Sequence, residues 1–146
     1  DVRLSYLYAS IDVPKTIPST SASTVTSALT VSGAPASIAK VIVRLDVTHT
    51  WDSDLTISLV HVATGTEVVL VQSRGGSSDN FTGTIFDDAA AVPISSGTAP
   101  FTGTFRPEQP LAAFNGLDAN GSWTLKIVDA YSADGGTLSG WSIEVF

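Results

Sequence analysis

Apolar and polar residues alternate with a period of two along most of this 146-residue chain. Within residues 41–48 the odd-numbered positions are all Val or Leu, and the even-numbered positions hold Ile, Arg, Asp and Thr. The same alternation returns in residues 55–59, 123–127 and 141–145, and residues 68–71 form a continuous apolar run. A period of two places successive side chains on opposite faces of a β-strand, so the alternating segments are predicted to be strands with one buried face.

Turn-forming residues separate these strands at intervals of roughly ten residues. Ala63–Thr66 is predicted to close a hairpin, and Asn120-Gly121 and Asp134-Gly135-Gly136 contain residues that tolerate a positive φ. No window carries apolar residues at helical spacing, so little helix is expected beyond a turn near Asp88–Ala91. We therefore predict an all-β fold, a jelly-roll-like β-sandwich of about eight or nine mostly antiparallel strands.

Two segments near the start of the chain fit the strand pattern less simply. Residues 1–11 precede the first recognisable turn, so we assign them to a linker or leader segment and residues 12–146 to a single domain. Residues 19–30 are rich in Ser and Thr, yet Val25 and Leu29 keep strand spacing. This second segment is predicted to form an edge strand rather than a disordered linker.

Composition narrows the classes of partner and the cellular compartment. The net charge of −7 and the scattered Arg residues argue against binding to nucleic acid, which needs clustered basic side chains. No stretch approaches the roughly 18 uncharged apolar residues of a membrane span, so no membrane partner is expected. The absence of cysteine excludes disulfides and thiolate zinc sites. Few Lys and many Ser and Thr residues favour a secreted, extracellular protein, which we expect to be a monomer.

The two histidines limit the catalytic chemistry that the chain could perform. His49 and His61 each follow an apolar strand, where a histidine at the edge of the core is the more common role. The segment Ser96–Pro100 resembles a protease nucleophile segment, but no serine follows Thr98 at the nucleophile position. Paired carboxylates such as Asp87-Asp88 lack the aromatic platforms of a glycosidase cleft. We therefore expect no catalytic residues in this chain, with an autonomous hydrolase as the alternative.

Asp is strongly preferred over Glu, with eleven Asp and three Glu. Many of the Asp residues lie in predicted loops, where an isolated Asp usually bonds its own backbone. If those loops meet at one end of the sandwich, their carboxylates repel one another unless a cation binds, and Ca²⁺ accepts about six to eight oxygen ligands in flexible geometry. The candidate calcium ligands are Asp52, Asp54, Asp87, Asp88, Asp129 and Asp134. Asp79 is either a further ligand or a turn residue.

A set of segments in conserved order carries a family resemblance. Residues 49–59 (HTWDSDLTISL), 120–129 (NGSWTLKIVD) and 134–143 (DGGTLSGWSI), with Gly65-Thr66 before the apolar run, resemble the P domain, or P/Homo B domain, of proprotein convertases and other subtilisin-like serine proteases. The segment 80–89 resembles the longer bacterial versions of that domain. The chain is therefore identified as a P domain of the bacterial type.

The resemblance implies a non-catalytic C-terminal accessory domain of a secreted subtilisin-like serine protease. A domain of this kind supports the folding, stability or substrate selection of its parent enzyme, a serine endopeptidase. The implied partners are the catalytic domain of the parent protease and a protein substrate, and calcium in the bacterial versions fits the Asp loops. The alternative is a stand-alone module that binds carbohydrate or protein through exposed aromatic residues such as Tyr6, Tyr8 and Tyr131.

Overall fold

The computed structural model describes residues 4–146 and shows a sandwich of two β-sheets. Its ten strands are β1 (Tyr6–Ala9), β2 (Lys15–Ile17), β3 (Ser23–Val31), β4 (Val41–His49), β5 (Leu55–His61), β6 (Thr66–Gln72), β7 (Phe81–Phe86), β8 (Gly103–Phe105), β9 (Gly121–Asp129) and β10 (Gly136–Val145). The helical structure of the described residues consists of 3-10 turns at Asp52–Asp54, Ile94–Ser96 and Leu111–Phe114. None of the described helices is long and apolar enough to cross a membrane.

The strands divide into a six-stranded and a four-stranded sheet. The larger sheet has the order β1-β10-β4-β7-β8, with β2 also paired to β10, and the smaller sheet has the order β3-β9-β5-β6. Every strand pairing is antiparallel except that of β7 with β8. The prediction of an all-β, mostly antiparallel, jelly-roll-like sandwich is confirmed, and β3 is an edge strand as expected of residues 19–30.

The structure has ten strands rather than the eight or nine expected. Three of them, β1, β2 and β8, are only three or four residues long. A segment of that length covers at most two positions on each face, so alternation cannot reveal it. The hairpin predicted at Ala63–Thr66 is present and joins β5 to β6.

The alternation of residue types decides which side chains enter the core. In β4, Val43 and Leu45 are fully buried, whereas Arg44 between them is exposed. Trp123 of the smaller sheet and Ile143 of the larger sheet belong to the same buried apolar cluster. Fully burying such a side chain contributes roughly 1.5–3 kcal/mol relative to leaving it exposed. The chain thus builds one continuous core between its sheets without any disulfide.

Part of the segment 1–11 belongs to the larger sheet. Strand β1 pairs with the last residues of β10, and the Tyr8 hydroxyl donates a hydrogen bond of 2.8 Å to the Ser32 carbonyl oxygen. Tyr6 and Tyr8 are therefore half-buried, and the expectation that they are exposed is wrong because strand pairing turns both side chains onto the sheet. Residues 1–3 lie outside the described part of the chain, and the domain boundary at residue 12 stays a prediction.

The antiparallel strands carry two sets of loops to opposite ends of the sandwich. The His49 end consists of residues 49–54, 73–80 and 129–136. The Asp87 end consists of residues 39–40, 87–89 and 111–115. Strand β4, which runs from one end to the other, has nine residues. At a rise of about 3.3 Å per residue, the two ends lie about 26 Å apart.

Candidate functional site

Asp52 is a fully buried acidic residue at the His49 end. It begins the 3-10 turn after β4, has no solvent exposure, and neither of its carboxylate oxygens has a hydrogen-bond partner among the described residues. Its backbone N–H donates to the Ser78 carbonyl oxygen at 3.0 Å. A Cβ on Gly75, which has a φ of +93°, would lie 2.9 Å from the Asp52 Cβ. Glycine at this position therefore lets the loop 73–80 close over the carboxylate.

The surroundings of Asp52 disfavour its charged form. Burial raises the pKa of Asp52 to about 7, and the nearby Asp79 carboxylate adds to the shift. The backbone N–H of Asn80 lowers the pKa of Asp52, but this N–H donates its hydrogen bond to the His49 carbonyl oxygen at 3.1 Å. A buried carboxylate without any donor must either hold a proton or meet a cation. The negative charge of Asp79 favours either outcome, since it disfavours an ionised Asp52 and attracts a cation.

Asp54 ends the same turn in different surroundings. Its residue exposure is 8%, and none of the described residues donates a hydrogen bond to its carboxylate. Burial raises the pKa of Asp54, the negative charges of Asp129 and Asp134 raise it further, and His49 opposes them. The charge acting on Asp52 comes instead from Asp79. The two carboxylates of one turn therefore belong to separate environments.

Each carboxylate oxygen of Asp129 accepts a hydrogen bond from within the protein. Its Oδ2 lies 2.9 Å from His49 Nε2, with both side chains completely buried, and its Oδ1 accepts a hydrogen bond of 3.2 Å from the Tyr131 amide. The Trp51 amide donates to His49 Nδ1 at 3.1 Å, so Nδ1 is the unprotonated nitrogen and Nε2–H donates to Asp129. This buried pair fixes the backbone of the two loops that flank it.

The second histidine is also engaged in structural hydrogen bonds. His61 Nε2 lies 2.7 Å from the Asp118 carbonyl oxygen, and His61 Nδ1 lies 2.7 Å from the Thr64 hydroxyl. His61 packs edge-on against Trp123 in the core. Within residues 4–146, neither His49 nor His61 forms a hydrogen bond with a serine, and both rings are shielded from solvent.

Asp87 and Asp88 lie at the opposite end of the sandwich from the other candidate ligands. The antiparallel pairing of β7 with β4 places Phe86 beside Val43, far from His49. Sequence alone could not show this, because the direction of β7 depends on which strand it joins. The expected convergence of all six Asp residues at one end is therefore wrong.

The carboxylates of Asp87 and Asp88 already have protein partners. Asp87 forms an ion pair of 2.9 Å with Lys40. Burial raises the pKa of Asp87, but the hydrogen bonds from Lys40 and the Ala89 amide outweigh it and lower the pKa overall. Asp88 accepts hydrogen bonds of 2.9 Å from the Leu111 and Ala112 amides, one on each oxygen. Both residues therefore hold loops in place through contacts within the protein.

The structure thus brings four of the six candidates to the His49 end. Asp134 is half-buried there and accepts a hydrogen bond of 2.8 Å from the Thr50 hydroxyl. Among residues 4–146, no three His, Asp or Glu side chains converge at the spacing of metal ligands. A cation at this end would consequently need backbone carbonyl oxygens besides one or two carboxylates.

An open groove of about 600 Å³ lies at the same end, on the Asp54 side. Trp51 and Tyr131, which are 44% and 63% exposed, line it together with Asp54 and Asp134. Tyr131 was expected to be exposed, and this is confirmed. Sequence reasoning missed Trp51 as a site residue, although a tryptophan in a turn between two strands, outside the alternating positions, was a usable signal.

Comparisons with known proteins identify the family and the fold of the chain. The family model of the proprotein convertase P-domain matches residues 38–145. No curated protein matches the chain. A serine protease of Aeromonas sobria has a similar structure, with a TM-score of 0.54, 18% identity, and coverage of 99% of this chain and 27% of its own.

Two further solved structures share the fold. The complex of Aeromonas sobria serine protease with its chaperone ORF2 matches with a TM-score of 0.52, 19% identity, and coverage of 96% of this chain and 27% of that chain. A β-porphyranase of glycoside hydrolase family 86 from Bacteroides plebeius matches with a TM-score of 0.50, 15% identity, and coverage of 97% and 20%. The chain therefore spans about a quarter or less of the length of these neighbours.

The resemblance inferred from residues 49–59, 120–129 and 134–143 is confirmed, because all three segments fall within the matched range. The P-domain is an accessory, non-catalytic type of domain, in keeping with histidines that serve only as buried structural groups. The chain belongs to the proprotein convertase P-domain family.

Proposed function

We propose that this chain is the C-terminal accessory domain of a secreted subtilisin-like serine protease and supports the folding, stability or substrate selection of the catalytic domain. The observation that carries the proposal is the match of residues 38–145 to the P-domain family. Two of the structural neighbours are the serine protease of Aeromonas sobria, whose chain is several times longer. A longer parent chain leaves room for a catalytic domain beside a domain of this size.

The proposal is tested in the full-length parent protein. Removal of residues 12–146 should lower the yield of active protease, shorten its half-life or change its substrate preference. The matched comparison is the parent carrying Gly136→Ala, which should destabilise the domain, against the parent carrying Gly140→Ala, which should not. A truncated protease that equals the complete protein in yield, half-life and substrate preference excludes the accessory role.

We also propose that calcium stabilises the domain at the His49 end, with Asp52 and Asp79 as its carboxylate ligands. The support is the buried Asp52 carboxylate, which has no hydrogen-bond donor, and the second negative charge beside it. Carbonyl oxygens of the loop 76–78 lie close by, since Gly76 and Ser78 accept hydrogen bonds from the same turn. Oxygen-only ligands favour Ca²⁺ over zinc, for which the two buried histidines are not available.

The calcium proposal predicts a shift in the melting temperature. Millimolar Ca²⁺ should raise the melting temperature relative to EDTA, because a ligand that binds only the folded state stabilises it. Asp52→Asn should remove most of that rise while keeping the shape of the side chain. Differential scanning calorimetry measures both, and identical melting curves of the unmodified domain with Ca²⁺ and with EDTA contradict the proposal.

A second candidate function is that of an independent binding module for carbohydrate or protein. The observation that favours it is the exposed pair of aromatic residues, Trp51 and Tyr131, in one open groove. Binding of the isolated chain to glycan or extracellular-matrix arrays tests this candidate. Arrays without any bound spot, at protein concentrations that detect weak modules, exclude it.

A further inference from the structure

The groove at the His49 end combines two features that calcium binding does not use. Trp51 and Tyr131 line it as its aromatic walls, and Asp54 and Asp134 are its charged lining residues. We propose that it binds an arginine side chain of a protein or peptide, with the guanidinium group between the aromatic walls and the two carboxylates as counter-ions. This goes beyond the accessory function proposed above, and it rests on the second candidate function, whose groove it shares and whose ligand it specifies.

The charge in the groove is not neutralised by the chain itself. Asp54 is more than nine-tenths buried and lines the groove, and no described residue donates a hydrogen bond to its carboxylate. Asp134 receives one hydrogen bond, from the Thr50 hydroxyl on Oδ1, which leaves Oδ2 for a ligand. A cationic ligand would supply the missing donors, because a guanidinium carries five N–H groups in a planar fork.

The other ionisable groups near the groove have hydrogen-bond partners outside it. Asp129 and His49, which lie behind Asp54, bond each other in the core. Arg74, which follows the groove residue Ser73, is held by Glu108 through hydrogen bonds of 2.8 and 2.9 Å. The basic residue nearest in sequence to the groove is therefore engaged elsewhere, and the negative charge remains for an external cation.

The aromatic walls are held by the buried His49–Asp129 pair. The Trp51 amide donates to His49 Nδ1 and the Tyr131 amide donates to Asp129 Oδ1. Both aromatic residues thus have fixed backbones, while their rings remain exposed to solvent. A site with fixed positions loses less entropy when a ligand binds.

Arginine satisfies both features of the groove at once. Its planar guanidinium stacks on aromatic faces and pairs with carboxylates. A calcium ion would use the carboxylates but gain nothing from the tryptophan and tyrosine rings. A neutral sugar would stack on the rings and donate hydroxyl hydrogen bonds to the carboxylates, but it would supply no counter-charge. The combination of Trp51, Tyr131, Asp54 and Asp134 therefore favours the cationic side chain.

Trp51 offers a direct measurement of binding. The other two tryptophans, Trp123 and Trp141, are 0% and 3% exposed, so quenching by a small peptide reports on Trp51. Titration of the 146-residue chain with acetyl-Gly-Arg-Gly-amide, in EDTA, should quench Trp51 emission saturably. The matched peptide with citrulline in place of arginine has nearly the same shape without the charge and should bind about tenfold more weakly.

Variants separate the groove from general electrostatics. Asp54→Asn and Tyr131→Ala should each weaken binding of the arginine peptide about tenfold. Glu144→Gln makes the same change in net charge on β10, away from the groove, and should bind like the unmodified chain. If circular dichroism shows that Asp54→Asn is not folded, Asp134→Asn on the half-buried loop takes its place.

The outcomes decide the proposal either way. Saturable quenching that depends on the charge of the peptide, on Asp54 and on Tyr131 supports it. Absence of saturable quenching, equal binding of the citrulline peptide, or an equal loss in Glu144→Gln overturns it. Quenching by millimolar Ca²⁺ alone that requires Asp54 and excludes the peptide also overturns it, because the groove is then a metal site. Asp52→Asn should leave peptide binding intact, because the peptide and the calcium ion are proposed to use different carboxylates. If the peptide does not bind, the calcium proposal is therefore unaffected.

Discussion

At the scale of single residues, the carboxylates of this protein differ mainly in what donates to them. The buried Asp52 carboxylate receives no hydrogen bond from the described residues, whereas the Glu108 carboxylate accepts three hydrogen bonds. Arg74 reaches both oxygens of Glu108, and the Gln72 amide donates to one of them at 3.1 Å. Donation to the charged form keeps Glu108 ionised, and absence of donation leaves Asp52 dependent on a proton or an ion.

Glu108 gives a prediction about acid stability. Its hydrogen bonds from Arg74 lower the pKa of Glu108, against the opposing effect of burial and with help from the Gln72 amide. A lowered pKa in the folded state contributes stability above the ordinary glutamate pKa of 4.5, and that contribution is lost as the pH falls through the lowered value. Glu108→Gln should therefore melt lower than the unmodified chain at pH 7, with the difference shrinking toward pH 3.

The control for Glu108 is an exposed ion pair. Glu67 lies 2.8 Å from Lys126 on the surface of the smaller sheet, with both side chains about one-third exposed. Exposed pairs of this kind contribute little, so Glu67→Gln should melt almost like the unmodified chain at every pH. A Glu108→Gln variant whose melting temperature runs parallel to the unmodified chain from pH 7 to pH 3 would contradict the assigned role.

The roles of individual Asp residues were only partly predictable from sequence. The positions of Asp52, Asp54, Asp129 and Asp134 at or just beyond strand ends followed from strand alternation, and the structure brings these four to one end. Asp88 could not be separated from them, because its donors belong to Leu111 and Ala112, more than twenty residues later in the chain. A carboxylate's role depends on such distant donors, and local residue pattern carries no information about them.

At the scale of elements, the start of β10 depends on a glycine that has no room for a side chain. A Cβ on Gly136 would lie 1.7 Å from the Thr48 carbonyl oxygen and 2.9 Å from the His49 Cα. Both neighbours are backbone atoms of β4, to which β10 is hydrogen-bonded with Gly136 opposite His49. Any larger residue must therefore push the two strands apart where they support the His49 end.

Gly136→Ala should consequently lower the free energy of unfolding by about 3 kcal/mol or more, because backbone atoms cannot yield as a flexible side chain can. Gly140→Ala on the same strand is the control, since a Cβ there meets no atom within 4 Å. Its effect should stay within about 0.5–1 kcal/mol. Urea denaturation measures the free energy of unfolding of both variants. Equal midpoints for the two would contradict the prediction, because they would show that β10 can move away from β4 at position 136 at little cost.

Strand length decided which elements could be predicted. The long strands β3, β4, β9 and β10 span nine or ten residues, enough for alternation to identify the buried face. Short strands such as β1 lack that signal, and β1 becomes a strand only because β10 offers it an edge. The short strands that sequence reasoning missed therefore form through pairing with distant strands, which the local pattern of residues does not show.

At the scale of the whole molecule, the two ends of the sandwich have different chemistry. Among residues 4–146, none donates a hydrogen bond to the carboxylates of Asp52 and Asp54 at the His49 end, where the aromatic groove also lies. At the Asp87 end, Lys40 and the Ala89 backbone N–H both contact Oδ1 of Asp87, and two backbone N–H groups donate to Asp88, one to each oxygen. Dependence on external cations should therefore be confined to one end of a molecule whose net charge is −7.

Asp88→Ala tests this division from the opposite end. The substitution leaves the Leu111 and Ala112 amides without their acceptors, which should lower the free energy of unfolding by about 1–3 kcal/mol. The Asp87 end is not the proposed calcium site, so the loss should be the same in Ca²⁺ and in EDTA. Asp52→Asn should instead be less stable than the unmodified chain in Ca²⁺ but not in EDTA. Calorimetry of both variants in both buffers separates the two ends. A calcium effect that survives in Asp52→Asn and disappears in Asp88→Ala would move the ion to the Asp87 end, where Asp87 and Asp88 would regain the ligand role first expected of them.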